Sequence, residues 1–150
     1  MPVHDLLDGK CRRAADVYVH ARGDLTEQTI QQPQSWMVPV FLYVSLQSSI
    51  AGQATYGTKS DLQTHSDVDG PVTPQNIFEP TDYARQAVEL FRQARESLGD
   101  EVELLHDIHE RVPPSLAVQL ARELEPFRLF FLEDALPPEE NDHFRLIRQQ

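Results

Sequence analysis

Cysteine and positive charge are both scarce in this sequence. Cys11 is the single cysteine among 150 residues, so no disulfide can form within the chain, and such usage is typical of a reducing cytoplasm. Lys and Arg together number 13 against 24 Asp and Glu, which gives a formal net charge of −11. An acidic chain binds polyanions poorly, so nucleic acid and anionic membrane surfaces are disfavoured as partners.

Long apolar runs are missing as well. No stretch approaches the ~20 residues that a membrane-spanning helix needs. The first residues, MPVHDLLDGK, lack the basic and apolar regions of a secretory signal. Hydrophobic residues still make up 40% of the chain and charged residues 25%, which is enough apolar material for a folded core. We therefore expect a cytoplasmic chain that forms one domain or part of a larger one.

Short apolar segments alternate with amphipathic ones along the chain. Strands are predicted at 14–20, 40–47, 103–109 and 129–133. Helices are predicted at 24–32, at 82–98, after Pro113-Pro114 and at 139–150. Pro33 is expected to end the first of them. The second is expected to be capped by Thr81 or Asp82 and to end at Gly99. Residues 48–80 form a long predicted loop, and a last helical turn is predicted before Gly9. Alternation of this kind predicts βαβ units and a parallel sheet with successive strands side by side.

Polar side chains end the last two predicted strands. Asp107 and His109 close one strand and, with the strand period of two, are expected to face the same side. Glu133 closes the next strand and is expected at a similar height. The C-terminal strand ends carry the active sites of parallel α/β folds, and two adjacent carboxylates repel unless a cation bridges them. These residues therefore predict a Mg²⁺ site, with His109 as a candidate proton shuttle.

Simpler interpretations of the same residues stay open at this point. Strand-end carboxylates often only cap helices, and Glu133-Asp134 precedes a Pro-Pro loop where a cap is natural. His106 and His109 are also consistent with ordinary loop histidines. Their HxxH spacing alternatively suggests a zinc site, although no cysteine pair accompanies it.

The stretch LLHDIHERVPPSLAVQLARELEPFRLFFLEDALPPEENDHFRLIRQ resembles the mannonate/gluconate dehydratase subgroup of the enolase superfamily. The motifs that carry the resemblance are LLHD, the histidine two residues after its Asp, LEPFRLFFLED and FRLIRQ. MPVHDLLDGKCR resembles the link from the capping domain into the barrel, VYVHARG the first barrel strand, and AGQATYG the loop after the second strand. The resemblance implies an α/β fold in which residues 14–150 form the first four βα units of a (β/α)₈ TIM-type barrel and residues 1–13 end the capping-domain linker.

The resemblance also implies roles for individual residues. Asp107 and Glu133 would bind Mg²⁺, and His109 and Tyr56 would act as acid/base residues. His20 would contact the substrate, a sugar acid such as D-mannonate or D-gluconate. Removal of the proton next to the carboxylate would give an enediolate that Mg²⁺ stabilises, and water would then be eliminated.

Two features depart from that subgroup. Ser45 stands where the subgroup has an arginine that pairs with the tyrosine, and an unassisted tyrosine, with a pKa of about 10, is a poor base. The subgroup's third metal ligand, a Glu on the next strand, is expected beyond residue 150, as are the later barrel strands. We therefore expect a fragment of a Mg²⁺-dependent lyase with little or no activity alone. The alternative is a catalytically dead remnant that acts as an interaction module and pairs its open strand edges with another copy, as a homo-oligomer, or with a full-length paralogue.

Overall fold

The computed structural model describes residues 2–6, 9–10, 14–23, 26–36, 42–48 and 78–149. Within these ranges the strands are β1 (Tyr18–Gly23), β2 (Tyr43–Ser48), β3 (Glu103–Asp107) and β4 (Phe131–Glu133). The helices that alternate with them are α1 (Thr26–Trp36), α2 (Pro80–Leu98), α3 (Pro114–Leu124) and α4 (Asn141–Arg148). The predicted helical turn before Gly9 is a short 3₁₀ turn, Val3–Leu6. No helix in the described ranges is both long and apolar enough to cross a membrane.

All four strands run parallel in one sheet, in the order β1-β2-β3-β4. The predicted alternation and the predicted parallel pairing of successive strands are therefore confirmed. The sheet is strongly curved. Tyr18 on β1 and Phe131 on β4 lie with their ring centroids 6.2 Å apart, whereas three strand spacings of a flat sheet would separate them by about 14 Å. Curvature of this kind is expected of a barrel wall.

The helices cover one face of the sheet, here called the helix face. Every second strand residue points into it, so that Leu46 of β2 and Leu104 of β3 are fully buried. Phe91 of α2 and Leu120 of α3 pack into the same cluster. Because α2 repeats its apolar residues at helical spacing, it lies with a continuous buried stripe against the sheet.

The helix predicted after the first strand does not stop at Pro33. Instead α1 continues to Trp36 with Pro33 inside it. Pro33 is buried, and α1 packs against β1, β2 and α2. These tertiary contacts offset the backbone hydrogen bond that proline removes from the helix.

Both ends of α2 have identifiable caps. The N-cap is Glu79, not Thr81 or Asp82 as predicted, because the Glu79 Oε1 accepts a hydrogen bond from the Thr81 backbone nitrogen at 3.3 Å. The predicted end at Gly99 is confirmed, with a φ of 67° that glycine adopts readily. The side chain of Arg95 then ties this end of α2 to the starts of β3 and β4 by donating hydrogen bonds to the carbonyl oxygens of Phe127, Gly99, Val102 and Arg128.

Strand boundaries differ from the predicted ones in a way that matters for the site. β1 begins at Tyr18 rather than at residue 14, and β3 ends at Asp107, which leaves His109 outside the strand. The predicted loop 48–80 lies largely outside the described residues, and so does Tyr56.

Candidate metal and acid–base centre

The face of the sheet opposite the helices, here called the inner face, carries most of the polar strand residues. Strand register aligns one row across the four strands, consisting of His20, Ser45, Leu105 and Phe131. Two residues further along each strand, side chains return to the same face. This second row, at the C-terminal edge of the sheet, includes Gln47, Asp107 and Glu133.

Asp107 and Glu133 are direct register partners on β3 and β4. Partners on adjacent parallel strands point to the same side of a sheet, so the juxtaposition predicted for these two carboxylates is present. Burial raises the pKa of the Glu133 carboxyl, and the negative charges of Asp107 and Asp134 raise it further, while His109 opposes them. The shift of the Glu133 pKa therefore reflects burial first and, second, the like charges of the neighbouring carboxylates.

His109 meets Asp107, but not through strand alternation as predicted. The backbone leaves the strand after Asp107, and His109 and Glu110 adopt φ angles of 55° and 56°. Backbone hydrogen bonds hold this turn against the end of β4: the Ile108 N–H donates to the carbonyl of Glu133 at 3.0 Å, and that of Glu110 to Asp134 at 2.8 Å.

Two contacts join the turn to the Asp107 carboxylate. Its Oδ1 accepts a hydrogen bond from the His109 backbone nitrogen at 3.0 Å, and its Oδ2 lies 2.6 Å from the His109 Nε2. The imidazole is 31% exposed, whereas the Asp107 side chain is almost wholly buried. His109 is thus held by a buried carboxylate and remains open to solvent on its other side.

Asp134 is a site residue that the sequence did not predict; a helix cap was the one role considered for it. Its backbone φ of 43° turns the chain at the end of β4. Among the described residues, a potential metal-ligand atom (a carboxylate oxygen or a ring nitrogen) from each of Asp107, His109 and Asp134 lies within 4.8 Å of the other two. Glu133 is not part of this group. The helix that follows begins only at Asn141 and its N-cap is Glu140, so Asp134 is not the cap of that helix. The one available signal was its position directly after a strand end.

His106 lies on the helix face and has a different environment. Its Nδ1 donates a hydrogen bond to the Leu46 carbonyl at 2.9 Å, and its Nε2 accepts one from the Tyr83 hydroxyl at 2.9 Å. Complete burial lowers the pKa of His106 to about 4, and burial also raises the pKa of Tyr83. His106 is therefore neutral and its ring nitrogens are both engaged. The zinc hypothesis, which required His106 and His109 to share an ion, is wrong because they lie on opposite faces.

The other residues predicted for the site, His20, Tyr56 and Ser45, are not seen next to Asp107 in the described part of the chain. His20 lies on the inner face of β1, two strands from Asp107, with its ring 5.2 Å from that of Tyr18. Tyr56 lies outside the described residues. Ser45, predicted to replace an arginine, is buried between His20 and Leu105 on the neighbouring strands.

The donor set suits a hard divalent cation. Three carboxylates, of Asp107, Glu133 and Asp134, lie at the C-terminal edge of β3 and β4. Oxygen ligands are those that Mg²⁺ prefers, and a cation would relieve the repulsion between these carboxylates. The residues present therefore fit Mg²⁺.

Comparison with known proteins identifies close relatives. The chain is 43% identical over 150 residues to a D-mannonate dehydratase of Caulobacter sp. (strain K31), and 42% identical over 149 residues to a D-galactonate dehydratase family member of Catenulispora acidiphila. Both alignments cover 99% of this chain, but only 37% and 34% of the relatives. The chain thus spans little more than a third of the length of the curated relatives it matches.

A solved structure supports the same relationship. The crystal structure of an enolase from Pantoea ananatis with bound D-gluconate and Mg superposes with a TM-score of 0.80 at 35% identity. The match covers 99% of this chain and 38% of that one, which confirms the predicted α/β fold as part of a TIM-type barrel. Residues 63–150 match the family described as enolase C-terminal domain-like. Because this match includes more than half of the residues, the chain belongs to the enolase C-terminal domain-like family.

Proposed function

We propose that this chain carries metal-binding and proton-transfer residues of a Mg²⁺-dependent sugar-acid dehydratase, a carbon–oxygen lyase. The observation that carries the proposal is the register pairing of Asp107 with Glu133 beside the imidazole of His109. The likeness to a D-mannonate dehydratase, and to an enolase with bound D-gluconate and Mg, supports a substrate of the D-mannonate or D-gluconate type.

In this proposal Asp107 and Glu133 hold the Mg²⁺ ion, and Asp134 contributes a further negative charge beside them. When bound, Mg²⁺ supplies positive charge that favours loss of the proton next to the substrate carboxylate. The Asp107 carboxylate is buried, and contacts of both its oxygens with His109 hold it in one orientation. The edge of the sheet is therefore preorganised to receive a cation and an anionic substrate.

His109 is proposed as the acid/base residue. Its Nε2 lies 2.6 Å from the Asp107 Oδ2, so the buried carboxylate orients the imidazole ring. Its partial exposure lets the imidazole exchange a proton with solvent or donate it to a leaving hydroxyl group. His20 as a substrate contact and Tyr56 as a second acid/base residue stay predictions.

We also propose that residues 14–150 are the first four βα units of the barrel, and that residues 1–13 end the linker from a capping domain. The continuous parallel sheet from β1 to β4 supports this division. Cytoplasmic location and homo-oligomer formation stay predictions.

Thermal unfolding with and without Mg²⁺ tests the metal site. At about 100-fold excess over its Kd, a ligand specific for the folded state adds about 2.7 kcal/mol to the free energy of unfolding. We expect Asp107→Asn and Glu133→Gln to abolish this gain. The control is Glu89→Gln, which changes an exposed α2 carboxylate paired with Arg92 and is expected to leave the gain intact.

Three outcomes would contradict the metal site. One is an equal gain in the Asp107→Asn variant. Another is stabilisation by Zn²⁺ with none by Mg²⁺. The third is a stable oligomer indifferent to either metal, which would favour the interaction-module hypothesis.

Assays of D-mannonate and D-gluconate dehydration address the chemistry. We expect weak or no turnover, because Ser45 leaves a tyrosine base without the arginine that would assist it. Clear turnover that disappears in His109→Asn would contradict the expectation of weak activity and support the role of His109.

A further inference from the structure

Two buried polar groups on the inner face of β2 have no hydrogen-bond partner within the part of the chain that the structure describes. Ser45 is 1% exposed and Gln47 is 5% exposed. Neither the Ser45 Oγ nor the Gln47 Nε2 has a partner among the described residues. Buried side-chain polar groups are nearly always paired, and an unpaired one destabilises the fold. Two such groups on one strand therefore indicate that their partner is something other than these residues.

The location of these groups is close to the candidate metal centre. Ser45 is the register partner of His20 on β1 and of Leu105 on β3. Gln47 lies two residues further along, level with Asp107, which lies two residues beyond Leu105. With a rise of about 3.3 Å per residue, the two side chains start about 7 Å apart along the strand. They form a buried polar line that leads to the carboxylate edge.

The chemistry of this line suits neutral hydroxyl groups. A serine hydroxyl donates and accepts, and a glutamine amide offers two N–H donors and one carbonyl acceptor. Neither side chain ionises, so β2 offers hydrogen bonds at this edge and no proton-transfer group. The carbon chain of a sugar acid carries successive hydroxyls beyond the carboxylate, and these need partners of both kinds when water is excluded.

We propose that Ser45 and Gln47 are specificity-determining residues that hydrogen-bond the hydroxyl groups of the sugar acid. This inference rests on the function proposed above and adds which part of the substrate β2 recognises. An acid that lacks the polyol chain leaves both groups unpaired and gains nothing from them. Ser45 and Gln47 thus favour binding of polyhydroxylated acids over binding of simple 2-hydroxy acids.

The test measures binding to Mg²⁺-saturated protein by calorimetry, with D-gluconate and glycolate as probes. Glycolate has the 2-hydroxy carboxylate but no polyol chain. We expect Ser45→Ala and Gln47→Met each to weaken gluconate binding about tenfold, the loss of roughly one hydrogen bond, and to leave glycolate binding and Mg²⁺ affinity unchanged. The matched control is Gln119→Met on the exposed side of α3, which is expected to change neither.

A second measurement separates a binding role from a structural one. Without ligand, both variants are expected to keep or raise the Tm, because each removes an unpaired buried group. A lowered Tm, an equal loss for gluconate and glycolate, or unchanged gluconate binding would overturn the inference. If the wild-type chain binds Mg²⁺ but no gluconate, the proposed substrate fails together with this inference. If wild type and variants bind gluconate equally, only the inference fails.

Discussion

His106 and His109 are three residues apart in the sequence and lie on opposite faces of the same sheet. His106, on the helix face, is buried, neutral and hydrogen-bonded through both ring nitrogens. His109, at the edge of the inner face, is partly exposed and paired with a carboxylate. The same side chain therefore stabilises the fold on one side and is available for chemistry on the other.

The contrast extends to the faces themselves. The helix face packs apolar side chains around Phe91 and Leu104. The inner face instead has crowded carboxylates, and polar atoms of Ser45 and Gln47 that find no partner among the described residues. Because strand residues alternate between faces, one five-residue strand such as β3 contributes to both. Stability and candidate function are thus separated across the thickness of a single sheet.

The largest expected effect comes from the helix face. Phe91→Ala removes a fully buried ring that lies 5.1 Å from the ring of His106, and we expect it to lower the free energy of unfolding by about 3–5 kcal/mol. The matched change on the inner face is Phe131→Ala, where the residue is already 36% exposed and a smaller loss is expected. Urea unfolding measures both. Equal losses would contradict the assignment of stability to the helix face.

Acid should destabilise the fold through His106. Its pKa is about 4 in the folded chain and about 6.5 when unfolded, so between these values only the unfolded chain takes up the proton. The contribution of neutral His106 is complete above pH 6.5 and is lost as the pH falls toward 4, by on the order of 3 kcal/mol.

Carboxylates titrate in part of the same range, so a comparison isolates the histidine. We expect the difference in free energy of unfolding between wild type and His106→Gln to change with pH from 6.5 to 4 and to be constant above 7. Chemical denaturation across this range measures it. A difference that is independent of pH would show that His106 titrates alike in both states.

A smaller effect is expected from the hydroxyl that partners His106. Tyr83→Phe leaves the His106 Nε2 buried without its donor, which should cost about 1–3 kcal/mol. The same change at exposed Tyr18 on β1 is expected to alter the free energy of unfolding by less than about 0.5 kcal/mol. Thermal unfolding of both variants provides the measurement, and similar values would remove the distinction between the faces.

The smallest effect on stability is expected at the carboxylate edge. Asp134→Asn, in the absence of metal, should change the free energy of unfolding by less than about 0.5 kcal/mol, because the side chain is exposed. It should nevertheless reduce the stabilisation by Mg²⁺, since Asp134 lies within the group formed with Asp107 and His109. Calorimetric Mg²⁺ titration checks this, and an unchanged Mg²⁺ affinity would exclude Asp134 from the site.

Part of the candidate site could be predicted from the sequence. Asp107 and Glu133 each end a short apolar run, and successive strands of a βαβ unit lie side by side, so their juxtaposition follows from pattern alone. His109 was expected beside Asp107, but for the wrong reason. A left-handed turn, held by backbone bonds to the end of β4, brings its imidazole there.

Other features could not be predicted because they depend on distant residues. The hydrogen-bond partners of His106 are Leu46 on β2 and Tyr83 on α2, and nothing local to HxxH distinguishes it from His109. Pro33 predicts a helix end, yet packing against the sheet keeps α1 continuous. The carboxylate of Asp134 reaches the site only through its turn conformation.

The order of strands and helices, the parallel sheet and the acidic strand ends were determined by the sequence itself, because apolar periodicity and strand-end position are local properties of the chain. The tertiary structure alone decided which histidine is buried, how far the sheet curves and which polar groups lack a partner in the described ranges. Each of these depends on contacts between residues far apart in sequence, which form only when the helices pack onto the curved sheet.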